Sequence, residues 1–330
     1  MNKTKIVQVG NILIGGGNPI SVQSMTNTDT RDIKSTVSQL KALEEAGADI
    51  VRLAVLDMDA AKSIKEIKSQ IKIPLIADIH FDYRLALESM KNGIDALRLN
   101  PGNIKDKEKV KEVIKEAKAR NLTIRVGVNG GSLDRAVYKE VSPENMVKSA
   151  GEHIKLMEDL NFTNIKVSLK SSDIKTTIDA NILFRKKYDY PIHLGVTEAG
   201  TLRSSLIKST SALSYLIMNG IGDTIRYSIT GDPVEEVMAG KMLLKFLGLR
   251  KEPSVEIISC PTCGRCQVEV EEVASYIEKH VQNIKKNITI AIMGCVVNGP
   301  GEARHADFGV AGTGDGNFIY FEKENEPIKI

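Results

Sequence analysis

The sequence predicts an α/β chain in which a closed barrel of eight β/α units precedes a small α/β domain. Three observations predict it. Eight short β-branched runs recur with starts about 22 to 41 residues apart, the length of a strand plus a crossover helix. Amphipathic stretches fill the intervals between them. Past residue 248 the pattern changes, and all four Cys lie beyond that point.

The eight runs are 20–25, 50–55, 74–79, 96–101, 124–129, 165–170, 192–196 and 224–229. Together they span about 250 residues, the size of a closed barrel. An open doubly wound sheet is the simpler alternative, but eight units are more than it needs. Residues 5–14 read as a β-hairpin placed to plug the barrel bottom. Among the helices, 33–47 carries apolar residues at 33, 37, 40 and 43 and ends at Gly47, suited to a left-handed cap. Residues 81–93 behave similarly. The helix 143–160 opens after Ser142 with Pro143 in its first position, and Pro233 opens 233–248 in the same way. The polar segment 248–256 contains Pro253 and reads as a linker, which gives domains 1–248 and 249–330. Beyond it come a strand at 255–258, a helix at 268–284, a strand at 288–293, a Gly-rich loop, and short strands at 308–310 and 318–321.

Composition excludes several function classes. The 330 residues include 45 basic and 42 acidic side chains, a net charge of +3, so bulk charge gives no reason to expect nucleic acid or an acidic membrane. Trp is absent and aromatics are 5%, so platforms for stacking bases are scarce. No run reaches 18 apolar residues, and polar residues interrupt the first twenty where a signal peptide needs an apolar core. The chain therefore reads as cytoplasmic, where thiols stay reduced and clustered Cys bind metal more often than they pair.

Barrel strands are covered on both faces and should be near-continuously apolar. Four of these are not: Arg52 sits in V-R-L, Arg98 in L-R-L, Arg125 in I-R-V and Arg226 in I-R-Y. Successive strand residues face opposite sides, so the apolar neighbours face the helices and each Arg points into the barrel near its top. Period two extends the inward set to Asn100, Gly127, Asn129, Ser228, and Lys166, Ser168 and Lys170. A structural salt-bridge network is the alternative. Inward carboxylates are few, however: Asp78, and Glu198 after strand seven. An unpaired buried cation costs several kcal/mol, and about four of them are hard to carry in a domain stable by roughly 5–15 kcal/mol. A ligand that brings several negative charges to the C-terminal face resolves the imbalance. Arg suits bidentate contact with phosphate oxygens, so an anionic, diphosphate-type substrate is expected. His80, His193 and Thr197 also sit at strand ends. Glu198, set among cations, is the candidate to position a substrate hydroxyl or relay a proton.

In the last quarter, Cys260, Cys263 and Cys266 form C-x₂-C-x₂-C, and Cys295 follows in a Gly/Pro-rich stretch. Two thiolates three residues apart grip one metal centre and a distant third closes it, a spacing that fits iron–sulfur or zinc. The absence of His near the knuckle and the Gly-rich loop after Cys295 favour a cluster.

These motifs resemble those of one family. CPTCGRC (260–266) and MGCVVNGPGEA (293–303), with SVQSMTNTDT (21–30), VRLAV (51–55), ADIHFDYRLAL (77–87), RLNPGNI (98–104), RVGVN (125–129) and IRYSITGDP (225–233), are similar to the 4-hydroxy-3-methylbut-2-enyl diphosphate synthases of the non-mevalonate isoprenoid pathway, in compact two-domain form. The resemblance covers essentially the whole chain. It implies a TIM barrel that binds substrate and a small domain that holds a [4Fe–4S] cluster on Cys260, Cys263, Cys295 and Glu302. Glu302 counts as catalytic too, because a weak oxygen ligand leaves readily. Substrate contacts carry over to Arg52, Arg98, Arg125, Asn129, Lys170, Arg226 and Ser228, with Glu198 catalytic. The implied reaction is reductive ring opening and dehydration of 2-C-methyl-D-erythritol 2,4-cyclodiphosphate, with flavodoxin or ferredoxin as electron donor. The implied assembly is a homodimer in which one cluster domain caps the partner's barrel. Cys266 departs from the family, where similar sequences usually carry Thr. An all-Cys ligand set is the alternative it opens, with Glu302 favoured and Cys266 a bystander. The rival readings are a barrel for a pterin-like or phosphorylated ligand with a zinc-structured tail, and a non-enzymatic cluster carrier.

Overall fold

Parallel pairing between neighbouring β-branched runs builds the larger part of the computed structural model. It describes residues 3–329 apart from 81, 100–106, 135, 252, 254, 282–283, 285, 296, 298–300, 302–304, 314–316, 324 and 326–327. The chain divides into two units, Met1–Arg250 and Lys251–Ile330.

In the first unit a hairpin of β1 (Val7–Val9) and β2 (Ile12–Ile14) precedes the strands β3 (Ser21–Met25), β4 (Ile50–Ala54), β5 (Leu75–Ile79), β6 (Ala96–Leu99), β7 (Thr123–Asn129), β8 (Ile165–Lys170), β9 (His193–Leu194) and β10 (Thr224–Ile225). The helices α1 (Ile33–Ala46), α2 (Met58–Ser69), α3 (Tyr83–Lys91), α4 (Lys107–Ala119), α5 (Pro143–Glu158), α6 (Ile174–Lys187), α7 (Leu202–Met218) and α8 (Pro233–Phe246) alternate with them. The strands run in the order β8-β7-β6-β5-β4-β3-β10-β9, and a parallel bridge between Val167 and Ile192 joins the two ends. The predicted eight-unit barrel is thus observed. Its last two strands are shorter than the runs 192–196 and 224–229. Arg226 and Ser228, predicted within a strand, lie beyond Ile225, because the chain leaves the ladder at the barrel mouth.

Local chemistry sets the helix ends. Asp32, Asp57, Asp82, Ser142, Asp173 and Asp232 each accept a backbone N–H in the first turn of the helix that follows. Gly47 ends α1 at φ 93°, as its position predicted. The hairpin buries Val7, Val9 and Ile14 against Ile50, Ile76 and Ala96, near the starts of three strands, and so plugs the bottom.

The second unit is a five-stranded sheet in the order β11 (Val255–Ser259), β12 (Ile288–Met293), β13 (Phe308–Gly312), β14 (Phe318–Glu322) and β15 (Ile328–Lys329), with α9 (Val270–Val281) crossing between β11 and β12. The first three strands are parallel and the last two antiparallel. Among the described residues its core cluster is small: Ala291, Met293, Ala306 and Ala311, with Cys260 and Phe321 packed against it. β15 has only two residues, too few for a periodic signal, and the sequence does not predict it.

Candidate functional site

Register brings the charged residues together. Pairing sets Asp78 beside Arg98, Arg98 beside Arg125, and Arg125 beside Lys166 on adjacent strands. Four residues further along β7 and β8, Asn129 stands beside Lys170. Side chains at these positions all face inward. A cavity partly open to solvent is lined by Arg52, Arg98, Arg125, Lys170 and Arg226 together with Asn129, Ser168, Thr197 and Ser228. It lies at the C-terminal ends of the strands, where barrel enzymes hold their substrates.

Some of this charge is balanced. Asp78 lies 3.2 Å from Arg98 and 3.6 Å from Arg52. His80, at the exposed edge, has Nε2 3.6 Å from Asp78 and 3.3 Å from Arg98. Burial opposes the Asp78 carboxylate, but Arg52, His80 and Arg98 together outweigh it and hold its pKa well below the usual range. The second carboxylate is one the sequence reading missed. Glu236, in the first turn of α8 and 2% exposed, pairs with Arg226 at 2.9 Å and accepts from Ser24 Oγ at 2.8 Å and Ile229 N at 3.1 Å. The expectation that inward carboxylates are confined to strand ends is therefore corrected. A helix start that passes over a strand end supplies another, and three of the four Arg are paired.

The remainder is unbalanced. Five lining cations face these two carboxylates, a formal excess of three. Arg125 is 3% exposed and donates to Ser168 Oγ at 3.1 Å, while its Nε and Nη2 have no protein partner among the described residues. Lys170, 8% exposed, makes no ion pair among the described residues. Burial, then the neighbouring Arg125 and Arg226, pushes Lys170 well below its ordinary pKa. Burial lowers Arg52 to about 10, with Asp78 opposing and Arg226 and Arg98 assisting. The arrangement stores repulsion that an anion with several oxygens would relieve.

Glu198 stands apart from this set. It is exposed, outside the cavity lining, and has φ 54°. A left-handed conformation is unusual for Glu and is found at functional turns. His193 and Lys166 lie deeper, both with no solvent exposure. Asn100 falls outside the described residues.

Gly195 permits the close approach of the Arg226 backbone and the Lys170 side chain. A Cβ there would stand 2.6 Å from both the Arg226 carbonyl oxygen and Lys170 Nζ. Gly195→Ala is expected to displace Lys170 and lose roughly 1–3 kcal/mol of stability through overpacking. Denaturant unfolding reads the stability, and a pyrophosphate titration reads the accompanying loss of anion affinity.

In the second unit, β11 and β12 run side by side and deliver Cys260 and Cys295 from adjacent strand ends. Cys260 Sγ accepts the Gly294 amide at 3.1 Å, a contact of the kind that tunes cluster sulfurs. Cys266 Sγ donates to the Val268 carbonyl at 3.2 Å, and a Cβ on Gly294 would lie 2.4 Å from that sulfur. Gly294 is thus the point where two thiols press on the residue before Cys295. Cys263 is exposed and Cys295 buried. Glu302 lies outside the described residues. Among the described residues no three His, Cys, Asp or Glu converge as ligands of a single ion must. The thiols of an iron–sulfur cluster each hold a different iron and stand farther apart. The donor set and the amide contact fit such a cluster.

Comparison with known proteins agrees along the whole chain. Residues 4–241 match the GcpE TIM-barrel domain and residues 256–329 the GcpE protein C-terminal domain. The 4-hydroxy-3-methylbut-2-en-1-yl diphosphate synthase (flavodoxin) of Clostridium perfringens is 54% identical over 324 residues, covering 97% of this chain and 92% of that protein. The enzyme of the same name from Thermodesulfovibrio yellowstonii is 52% identical, again over 97% and 92%. Among solved structures, Yersinia pestis dihydropteroate synthase aligns with a TM-score of 0.55 at 11% identity, over 74% of this chain and 98% of that one. The Coxiella burnetii dihydropteroate synthase aligns with a TM-score of 0.52 at 12% identity, over 74% and 97%. At such identities the likeness is one of fold.

Proposed function

The chain belongs to the GcpE family, and from that premise we propose that it is the enzyme that converts 2-C-methyl-D-erythritol 2,4-cyclodiphosphate to 4-hydroxy-3-methylbut-2-enyl diphosphate. The single observation that carries this reading is the excess of buried cations at the barrel mouth, matched to a cyclic diphosphate. Names of relatives more than half identical over nearly the whole chain support it.

In this reading Arg125 and Lys170 donate to phosphate oxygens, joined by the guanidinium donors of Arg52, Arg98 and Arg226 that line the cavity. Asn129 and Ser228 fix the orientation. When the ring C–O bond opens, negative charge develops on the leaving phosphate oxygen. Donors already held in place by Asp78 and Glu236 stabilise that charge without reorganising. Glu198, at the rim, orients or protonates the hydroxyl that departs as water. Cys260, Cys263, Cys295 and Glu302 would hold a [4Fe–4S] cluster, which supplies the two electrons one at a time. The name of the relatives favours flavodoxin as the donor. Exposed Ile207, Tyr215 and Met218 on α7, and Met242 and Phe246 on α8, support a homodimer by leaving apolar surface for a second copy.

The test is an anaerobic assay of the full chain with the cyclic diphosphate and reduced flavodoxin, with metal content measured on the same sample. Conversion by iron-containing protein is expected. Zinc in place of iron, or no consumption by iron-replete protein, would contradict the assignment.

A further inference from the structure

Beneath the cavity the barrel interior is polar, where layers of branched apolar side chains are the rule. Pairing places Thr224 between Ser21 and His193, and Lys166 beside Arg125. Lys166, His193, Gln23 and Thr224 have no solvent exposure. Among the described residues Lys166 Nζ has one hydrogen-bond partner, Thr224 Oγ1 at 3.5 Å. Both ring nitrogens of His193, both amide atoms of Gln23, and Nε and Nη2 of Arg125 have no protein partner among the described residues. An unsatisfied buried polar group costs about 1–3 kcal/mol. Water enclosed among its members would supply the missing partners.

We propose that this layer is a proton store, and that Lys166 takes up a proton when a polyanion fills the cavity above it. The proposal rests on the anion-binding reading given above. The groups around Lys166 are Arg125 from β7, Arg52 from β4, His193 from β9, Lys170 further along its own strand, and Asp223 just before β10. No carboxylate pairs directly with Lys166 among the described residues. Burial and then Arg125 bring its pKa down to about 7, against the pull of Asp223. Burial, Lys170 and Arg125 keep His193 neutral, so it serves as a hydrogen-bonding group for water. A diphosphate seated over Arg125 cancels the repulsion that Lys166 feels, and its proton affinity rises. The proton offsets part of the charge that the ligand brings into the barrel.

The test is calorimetric titration of the full chain, purified anaerobically, with inorganic pyrophosphate at pH 8 in buffers of different ionisation enthalpy. The parent is expected to take up approaching one proton more per site than either Lys166→Met or Lys166→Gln. Both variants should still bind pyrophosphate within roughly tenfold of the parent, because Lys166 does not line the cavity. Lys166→Met replaces a buried amine by an apolar chain of similar length and is expected to fold, which its thermal transition checks. Equal uptake in parent and variants would overturn the proposal. So would loss of binding in both folded variants, which would make Lys166 a direct ligand. Failure of the parent to bind pyrophosphate would instead overturn the anion-binding reading.

Discussion

Replacing Arg125 with methionine is expected to stabilise the ligand-free protein and to remove most of its affinity for a diphosphate. Arg125 is buried, two of its three guanidinium-group nitrogens have no partner among the described residues, and its neighbours Arg52 and Arg98 repel it. Burial and those neighbours hold its pKa far below the ordinary Arg value. Substituting an apolar side chain for such a charge commonly stabilises by about 1–4 kcal/mol. Truncating a buried, hydrogen-bonded charge at a binding site costs about 2–5 kcal/mol, or roughly 30-fold to several thousand-fold in affinity. Denaturant unfolding measures the first effect and anion titration the second. A residue with a purely structural role would move stability the other way.

Asp78→Asn is expected to have the opposite sign. Asp78 is 5% exposed and sits between Arg52 and Arg98. Removing its charge leaves two buried guanidiniums without their carboxylate, a loss of about 3–5 kcal/mol. Pyrophosphate should restore part of it by supplying the missing negative charge. The pH dependence has a definite direction. The folded protein holds the Asp78 carboxyl below the ordinary aspartate pKa of 3.8, so its contribution is fully present above about pH 4. That contribution disappears as the pH falls from there through the lowered pKa. Unfolding curves between pH 7 and pH 2 should show a steeper acid loss in the parent than in Asp78→Asn.

The barrel was legible because its signal is repeated. Each run of apolar β-branched residues is followed by a helix, six of them opened by a capping side chain, and eight repeats leave little choice of architecture. The inward cations were legible for a different reason. A polar residue flanked by two apolar ones in a covered strand has one face available, and Arg98 and Arg125 are indeed buried at 6% and 3% exposure. Arg226 was placed on the right side but in the wrong element, since the ladder ends at Ile225 where the mouth opens. Glu236 escaped because helix periodicity reports a face without saying what that face reaches. Only the crossing of α8 over the end of β3, where Ser24 meets it, explains its burial. Gln23 escaped because S-V-Q-S-M carries several polar residues, and alternation alone does not mark which of them lacks a partner. The Cys spacing located a sulfur-rich turn, while the closeness of Cys266 to Gly294 depends on how that turn folds back on β12.

The central claim is that the uncompensated cations of the barrel exist to hold a diphosphate. Calorimetric titration of the parent chain and Arg125→Met with 2-C-methyl-D-erythritol 2,4-cyclodiphosphate, at one ionic strength, tests it most directly. Saturable binding to the parent, weakened at least roughly 30-fold in the more stable variant, is the predicted result. Absence of binding to the parent, or equal affinity in the two proteins, would contradict it.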